Sequence, residues 1–215
     1  MAFSIGPAGY VECIKRTAEK IAAEKTYITD LDAATGDGDH WINLNMGFEA
    51  LVAIAGELEA LPLAELFKKI GMTLMSVVGG SSGILYGSAY LAMGRACKEE
   101  TAVTRENLGK LLEAMMQAMM KRGNSEPGQK TMIDTLYGAT QAYEKGLEAG
   151  LSDKALLETL AQGARDGAES TRQMPAVRGR ACYQANKGVG HLDPGAVTMC
   201  FQIELLSQVI LETLC

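Results

Sequence analysis

Apolar residues return at intervals of three and four along most of this chain, a spacing that gathers them on one face of an α-helix. Val11, Ile14, Ala18 and Ile21 form one such stripe, Leu44, Leu51, Val52 and Ala55 a second, and Leu66, Ile70, Leu74 and Val77 a third. Aromatics supply 6% of the residues while Ala, Leu and Met abound, so little material is left for a sheet. The expected fold class is all-α. Helices are expected over residues 8–25, 42–57, 63–78, 83–98, 104–122, 129–149, 153–171 and 194–213. Thr104 with Asn107, Ser152 with Asp153, and Asp193 before Pro194 supply the chemistry of helix starts, and Gly123 and Gly150 mark ends.

A chain of 215 residues, 47% of them hydrophobic, can bury one substantial core, and a single domain over 1–215 is expected. The net charge of −6 argues against a general nucleic-acid surface. Five scattered cysteines, without metal-ligand spacing, fit a reduced intracellular setting better than a disulfide framework. The opening MAFSIGPAGYVECIKR lacks a basic start followed by a long apolar run, so a cytoplasmic protein is expected. Residues 70–94 carry no charge and are long enough for a bilayer, but Gly79-Gly80-Ser81-Ser82-Gly83 interrupts them. Two buried helices are the expectation there, with no membrane span.

Short connections make consecutive helices antiparallel, so alternate connections meet at one end. Four such connections carry chemistry. The first reads Asp32-Ala33-Ala34-Thr35-Gly36-Asp37-Gly38-Asp39-His40, three carboxylates in eight residues with no lysine or arginine among them. They repel one another unless a cation holds them, and oxygen-only donors suit Mg²⁺, which is held by a few carboxylates with waters and phosphate oxygens. An EF-hand register fails, because Thr35 or Ile42 occupies the glycine position and no glutamate follows at the twelfth. Taken by itself, the segment also reads as a solvated acidic turn.

The second connection, Gly79-Gly80-Ser81-Ser82-Gly83, offers backbone amides and hydroxyls at a helix start, where the dipole attracts anions, although such turns often only reverse the chain. The third, Gly128-Gln129-Lys130-Thr131-Met132-Ile133-Asp134, reads as a helix cap or a base-holding segment, the cap being favoured. In the fourth, Arg172, Arg178, Arg180 and Lys187 face one acid, Asp193, a basic island that suits an anion. The two histidines, His40 and His191, both fall in these connections; His40 is assigned a ligand role and His191 a structural one. No Walker A sequence occurs, and Gly36-Asp37-Gly38 does not extend into a dinucleotide fingerprint.

With these connections assembled, the chain resembles the nucleotide-binding L subunit of bacterial dihydroxyacetone kinases from its first helix to about residue 212. The residues that carry the resemblance are Asp32 with Gly36 to His40; Val78 to Gly83 with Leu85-Tyr86-Gly87; Gly128 to Met132; Met174-Pro175-Ala176 with Arg178-Gly179-Arg180-Ala181; and Gly190 to Ala196. It implies a closed barrel of eight antiparallel helices with up-and-down connectivity, and ADP or ATP with two Mg²⁺ at one end. By matching motif, Asp32, Asp37 and Asp39 would ligate the metals. His40, Trp41, Ile42, Asn43, Ser81 and Ser82 would contact phosphates or nearby nucleotide atoms. Gly123 and Met132 would line the base and ribose, while Arg180, as the catalytic group, would complete the pocket with Asp193, Pro194 and Gly195. Trp41 departs from the family pattern, which has a small residue there, often glycine; Ser81 stands where alanine is common.

The resemblance further implies that the acceptor, dihydroxyacetone, sits on a histidine of a separate K subunit. The donor is then ATP, or ADP rephosphorylated by a phosphohistidine-carrying M subunit of the phosphotransferase system, and a chain without a fused K domain points to the second. A homodimer is the expected assembly. Two other readings compete: a kinase subunit for a related ketose such as erythrulose, and an ADP-binding adaptor that docks on a transcription regulator.

Overall fold

The computed structural model describes residues 3–214. Helix α1 (Pro7–Ala23) opens with proline in its first turn and runs into α2 (Lys25–Thr35) through a kink at Glu24. The ladder survives the kink: Glu24 N donates to Lys20 O at 3.0 Å and Ile28 N to Glu24 O at 2.9 Å. Residues 26–35, expected in a connection, are therefore helical. The local pattern concealed this, because Ile28 is the one buried aliphatic on α2, and packing against α3 and α10 holds the segment instead.

The helix expected over 42–57 is two, α3 (His40–Ala53) and α4 (Ala55–Glu59), broken at Ile54. There follow α5 (Leu63–Val77), α6 (Gly80–Ala96), α7 (Leu108–Gly123), α8 (Met132–Glu148), α9 (Asp153–Ser170) and α10 (Pro194–Glu212). The charge-free residues 70–94 fold as α5, α6 and the break between them, as expected. Helix α7 starts at 108 rather than 104, because residues 103–104 pair as strand β2 (Val103–Thr104) with β1 (Ser4–Ile5), antiparallel, Ser4 opposite Thr104. Asn107 serves that bend, its side chain accepting from Thr104 N at 2.8 Å.

Among the described residues eight long helices close a ring, each packing on the next in the order α1, α3, α5, α6, α7, α8, α9, α10 and back to α1. The all-α barrel expected from the sequence is the observed one. Arg16 fastens the closure with a two-pronged pair to Glu212 at 2.6 and 2.7 Å, linking the first and last ring helices. Phe48, Phe67, Tyr86, Met115 and Met199 fill the inside, leaving a cavity of about 30 Å³, room for one water. Helices α8 and α9 approach until their backbones touch: a Cβ on Gly138 would meet Gly163 O at 2.4 Å. Among the described residues one helix, α10, is long and apolar enough to cross a membrane, and 67% of that stretch is buried within the fold.

The alternation of connections divides the barrel into two unlike ends. At one, Arg105 pairs with Asp153 at 2.6 Å and Phe3 N donates to the same carboxylate at 2.7 Å, beside the β1–β2 ladder. That end is a structural closure. The other collects the connections α2–α3, α5–α6, α7–α8 and α9–α10.

Candidate functional site

Residues from all four of those connections line one polar cavity of about 300 Å³. Asp32 lies on the last turn of α2, so the first metal-ligand candidate stands on a helix, whereas Asp37 and Asp39 stand in the turn beyond it. The three carboxylates bring oxygen atoms within 4.8 Å of one another, Asp32 buried and the other two exposed. Gly36 permits this: a Cβ there would lie 2.3 Å from Asp32 Oδ1. Asp32 Oδ2 also accepts from His40 N at 3.0 Å, which ties the cluster to the first turn of α3. An oxygen-only set of this kind, half-open to solvent, fits a hard divalent cation that keeps waters and phosphate oxygens among its ligands.

Across the cavity, α6 begins at Gly80, so Ser81 and Ser82 stand in its first turn. Gly79, its N-cap, supplies no side-chain acceptor, and first-turn amides have no carbonyl in their own helix to bond. Free amides and a positive dipole end then face the carboxylates, an arrangement that takes an anion. Gly80 has φ +65°, and a Cβ on Gly79 would meet Asn43 Oδ1 at 2.5 Å, so glycine at these two places lets α6 start against α3.

The third connection behaves as a cap. Thr131 Oγ1 accepts from Ile133 N at 3.1 Å and Asp134 Oδ2 accepts from Thr131 N at 2.8 Å, a reciprocal box at the start of α8. Met132 and Gly123 line an adjoining apolar compartment of about 440 Å³ with Ile84, Leu85 and Met119. The polar and apolar compartments share Ser81, Leu85, Thr131, Met132, Arg178 and Gly179.

From the fourth connection, Arg180 reaches over the carboxylates and pairs with Asp37 at 2.5 Å, while Asp193, Pro194 and Gly195 form the cavity wall. Asp193 is the cap of α10, accepting from Ala196 N at 2.7 Å. Desolvation pushes its carboxyl from 3.8 up to about 7, against the opposing pull of that bond and of Lys130. The folded chain therefore takes up a proton here between those two values that the unfolded chain does not, and this group's stabilisation fades as pH rises through about 7. Asp193→Asn keeps the cap acceptor and carries no charge. In the nucleotide-free protein it is expected to gain about 1 kcal/mol or more over the parent at pH 8, roughly 2–4 °C in melting midpoint, with the gap closing towards pH 5. A midpoint difference that does not change with pH counts against the assignment.

His40 is buried at the head of α3 and lines the cavity. Thr198 Oγ1 donates to Gly195 O at 3.2 Å, which leaves it to accept from the His40 Nε2–H at 2.9 Å, and burial holds the imidazole's pKa below its ordinary value. Asn43 lines the cavity as well. Trp41 and Ile42, expected beside the nucleotide, do not: the helical turn points them away. The Trp41 indole donates to Ile21 O at 3.0 Å with the Lys25 ammonium 4.4 Å from its ring centre, and Ile42 is 51% exposed. His191 serves through its backbone carbonyl, which accepts from Lys130. Thr35, Lys130 and Arg178, which the sequence placed in these connections without a role of their own, line the cavity, and Thr198, outside them, orients His40.

An all-helical barrel whose rim joins a carboxylate cluster, an uncapped helix start and an arginine defines a class of metal- and phosphate-handling helical domain. Comparison with known proteins sharpens that. The DAK2 domain family model matches residues 34–208, and the chain belongs to that family. It is 38% identical over 195 residues to the ADP-binding subunit DhaL of PEP-dependent dihydroxyacetone kinase 1 from Listeria innocua, covering 91% of this chain and 90% of the relative. The corresponding DhaL subunit of Escherichia coli is 32% identical over 204 residues, covering 95% and 97%. Among solved structures, the dihydroxyacetone kinase of C. freundii in complex with AMP-PNP and Mg²⁺ superposes with a TM-score of 0.68 at 29% identity, covering 94% of this chain. This chain spans 33% of that kinase chain.

Proposed function

We propose that this chain is the ADP-binding, phosphoryl-passing subunit of a dihydroxyacetone kinase, a phosphotransferase that works with a separate ketone-binding K subunit. The observation that carries the reading is the convergence of four connections on one cavity, carboxylates on one wall and free helix-start amides on another, in a chain that matches DhaL subunits along nearly all of their length. Asp32, Asp37 and Asp39 hold Mg²⁺, two ions in the full complex. Bound magnesium neutralises phosphate oxygens, the chemistry that phosphoryl transfer needs most. The amides around Ser81 and Ser82 take the remaining phosphate charge, with His40 and Asn43 at the same wall. Arg180 stabilises the charge that spreads over the phosphoryl group in flight. The apolar compartment at Met132 and Gly123 receives the base.

Its donor is an M subunit of the phosphotransferase system, which rephosphorylates ADP held in place; the PEP-dependent names of the relatives support this. The buried free thiols Cys13, Cys97 and Cys200 suit a reducing cytoplasm. The test mixes the purified chain with a K subunit, dihydroxyacetone, and either ATP or phosphorylated M subunit. Repeated turnover only with the phosphorylated M subunit is expected. Repeated turnover on ATP alone overturns the donor assignment, and transfer with neither turns the reading towards a nucleotide-binding adaptor.

A further inference from the structure

Lys130 is a buried cation that the chemistry above does not use. It is 2% exposed and holds φ +61°, a left-handed backbone rare outside glycine, so its surroundings fix it tightly. Its ammonium donates to Thr171 O at 2.6 Å and to His191 O. Those two carbonyls stand at the two ends of the connection 171–193, the segment that carries Arg178 and Arg180. Thr171 also follows the last turn of α9, where the negative end of the helix dipole favours a cation.

Other bonds complete the seat of this segment. Thr171 Oγ1 accepts from Asp193 N at 3.1 Å, Val177 N donates to Gln129 O at 3.4 Å, and Arg178 Nε donates to Asn124 O at 2.8 Å. The basic segment thus rests on the α7–α8 connection, with the buried Lys130 ammonium bonded to carbonyls at both of its ends. A side chain kept merely for packing would not need a desolvated charge between two carbonyls.

We propose that Lys130 is a positioning residue: its ammonium clasps both ends of the 171–193 connection and so seats Arg178 and Arg180 opposite the carboxylates of the α2–α3 turn. The functional half of this inference rests on the phosphate-site reading; the structural half does not. Two variants separate the amine from the backbone, Lys130→Met, which removes the charge, and Lys130→Gly, which removes the charge and relieves the left-handed strain. Three readouts follow for each: helical signal by circular dichroism, trypsin cleavage mapped by mass spectrometry, and isothermal titration calorimetry with Mg²⁺ alone and with Mg·ADP.

Both variants are expected to keep the helical signal and to be cut faster after Arg172, Arg178, Arg180 or Lys187. Their Mg²⁺ affinity should hold or rise, because loosening the segment frees Asp37 from its pair with Arg180, while Mg·ADP affinity falls about tenfold, the usual scale for losing a supporting partner. A Lys130→Gly protein that matches the parent in cleavage and in Mg·ADP binding overturns the proposal, since the backbone conformation alone would then be what matters. Collapse of the helical signal in both variants, or loss of Mg²⁺ affinity in step with Mg·ADP, overturns it too by assigning the amine to the core. If the parent itself binds no Mg·ADP, the phosphate-site reading fails and the cleavage pattern still decides the clasp.

Discussion

Asp37→Ala is expected to weaken Mg·ADP binding by ~100-fold or more while leaving the barrel intact. Loss of a partner that merely supports a metal ligand costs about 10–100-fold in affinity, and a direct ligand sits at or beyond the upper end. Asp37 is the clean choice among the three carboxylates. Asp32 is buried and also accepts from His40 N, so removing it would strip an acceptor from the start of α3 together with the metal ligand. Asp37 is exposed, and its ion pair with Arg180 joins two solvent-facing side chains, a contact worth ~0–1 kcal/mol at most. Circular dichroism and the melting midpoint should therefore barely move. Isothermal titration calorimetry reads the affinity directly. Unchanged Mg·ADP affinity in a folded Asp37→Ala protein would remove the metal assignment and, with it, the main support for a phosphate site.

How far the sequence foretold this site depends on whether the cause was local. The stripes at Val11, Ile14 and Ile21 or at Leu66, Ile70 and Leu74 lie on buried helix faces because the signal and the packing it produces share one period. From helices joined by short connections, the meeting of alternate connections follows by geometry, and it held for all four. Helix α2 escaped because a short segment with Ile28 as its one buried aliphatic has too weak a stripe to read; its helix is a consequence of α3 and α10, which periodicity cannot report. Trp41 misled for a related reason. A motif places a residue next to a site, but the turn of the helix decides which way it faces, and here the indole finds Ile21 O. Lys130 was invisible in kind, since its partners Thr171 and His191 are 41 and 61 residues away and leave no trace in the flanking sequence.

Arg180→Ala is expected to slow phosphoryl transfer by ~10³-fold, the lower end for losing an arginine that stabilises the transferring group. The argument turns on where the guanidinium acts. It is 67% exposed and held by Asp37 at the cavity mouth, so its contribution to binding a resting diphosphate is screened by water, whereas under the proposed transfer the charge developing on the phosphoryl group would meet it in a drier setting, with the proposed partner subunit over the site. Mg·ADP affinity should accordingly fall by no more than ~10-fold, the separation that marks an interaction made in the transition state. Affinity for Mg²⁺ alone should hold or rise, because Asp37 no longer has to leave Arg180 to reach a cation. Arg180→Lys should recover part of the rate: an ammonium restores the charge but lacks the planar fork that grips two phosphate oxygens. Rapid-quench measurement of a single transfer step to the K subunit, set beside calorimetry on the same variants, separates the two quantities. Equal losses in rate and affinity would reassign Arg180 to ground-state binding, and an unaltered rate would take it out of the chemistry.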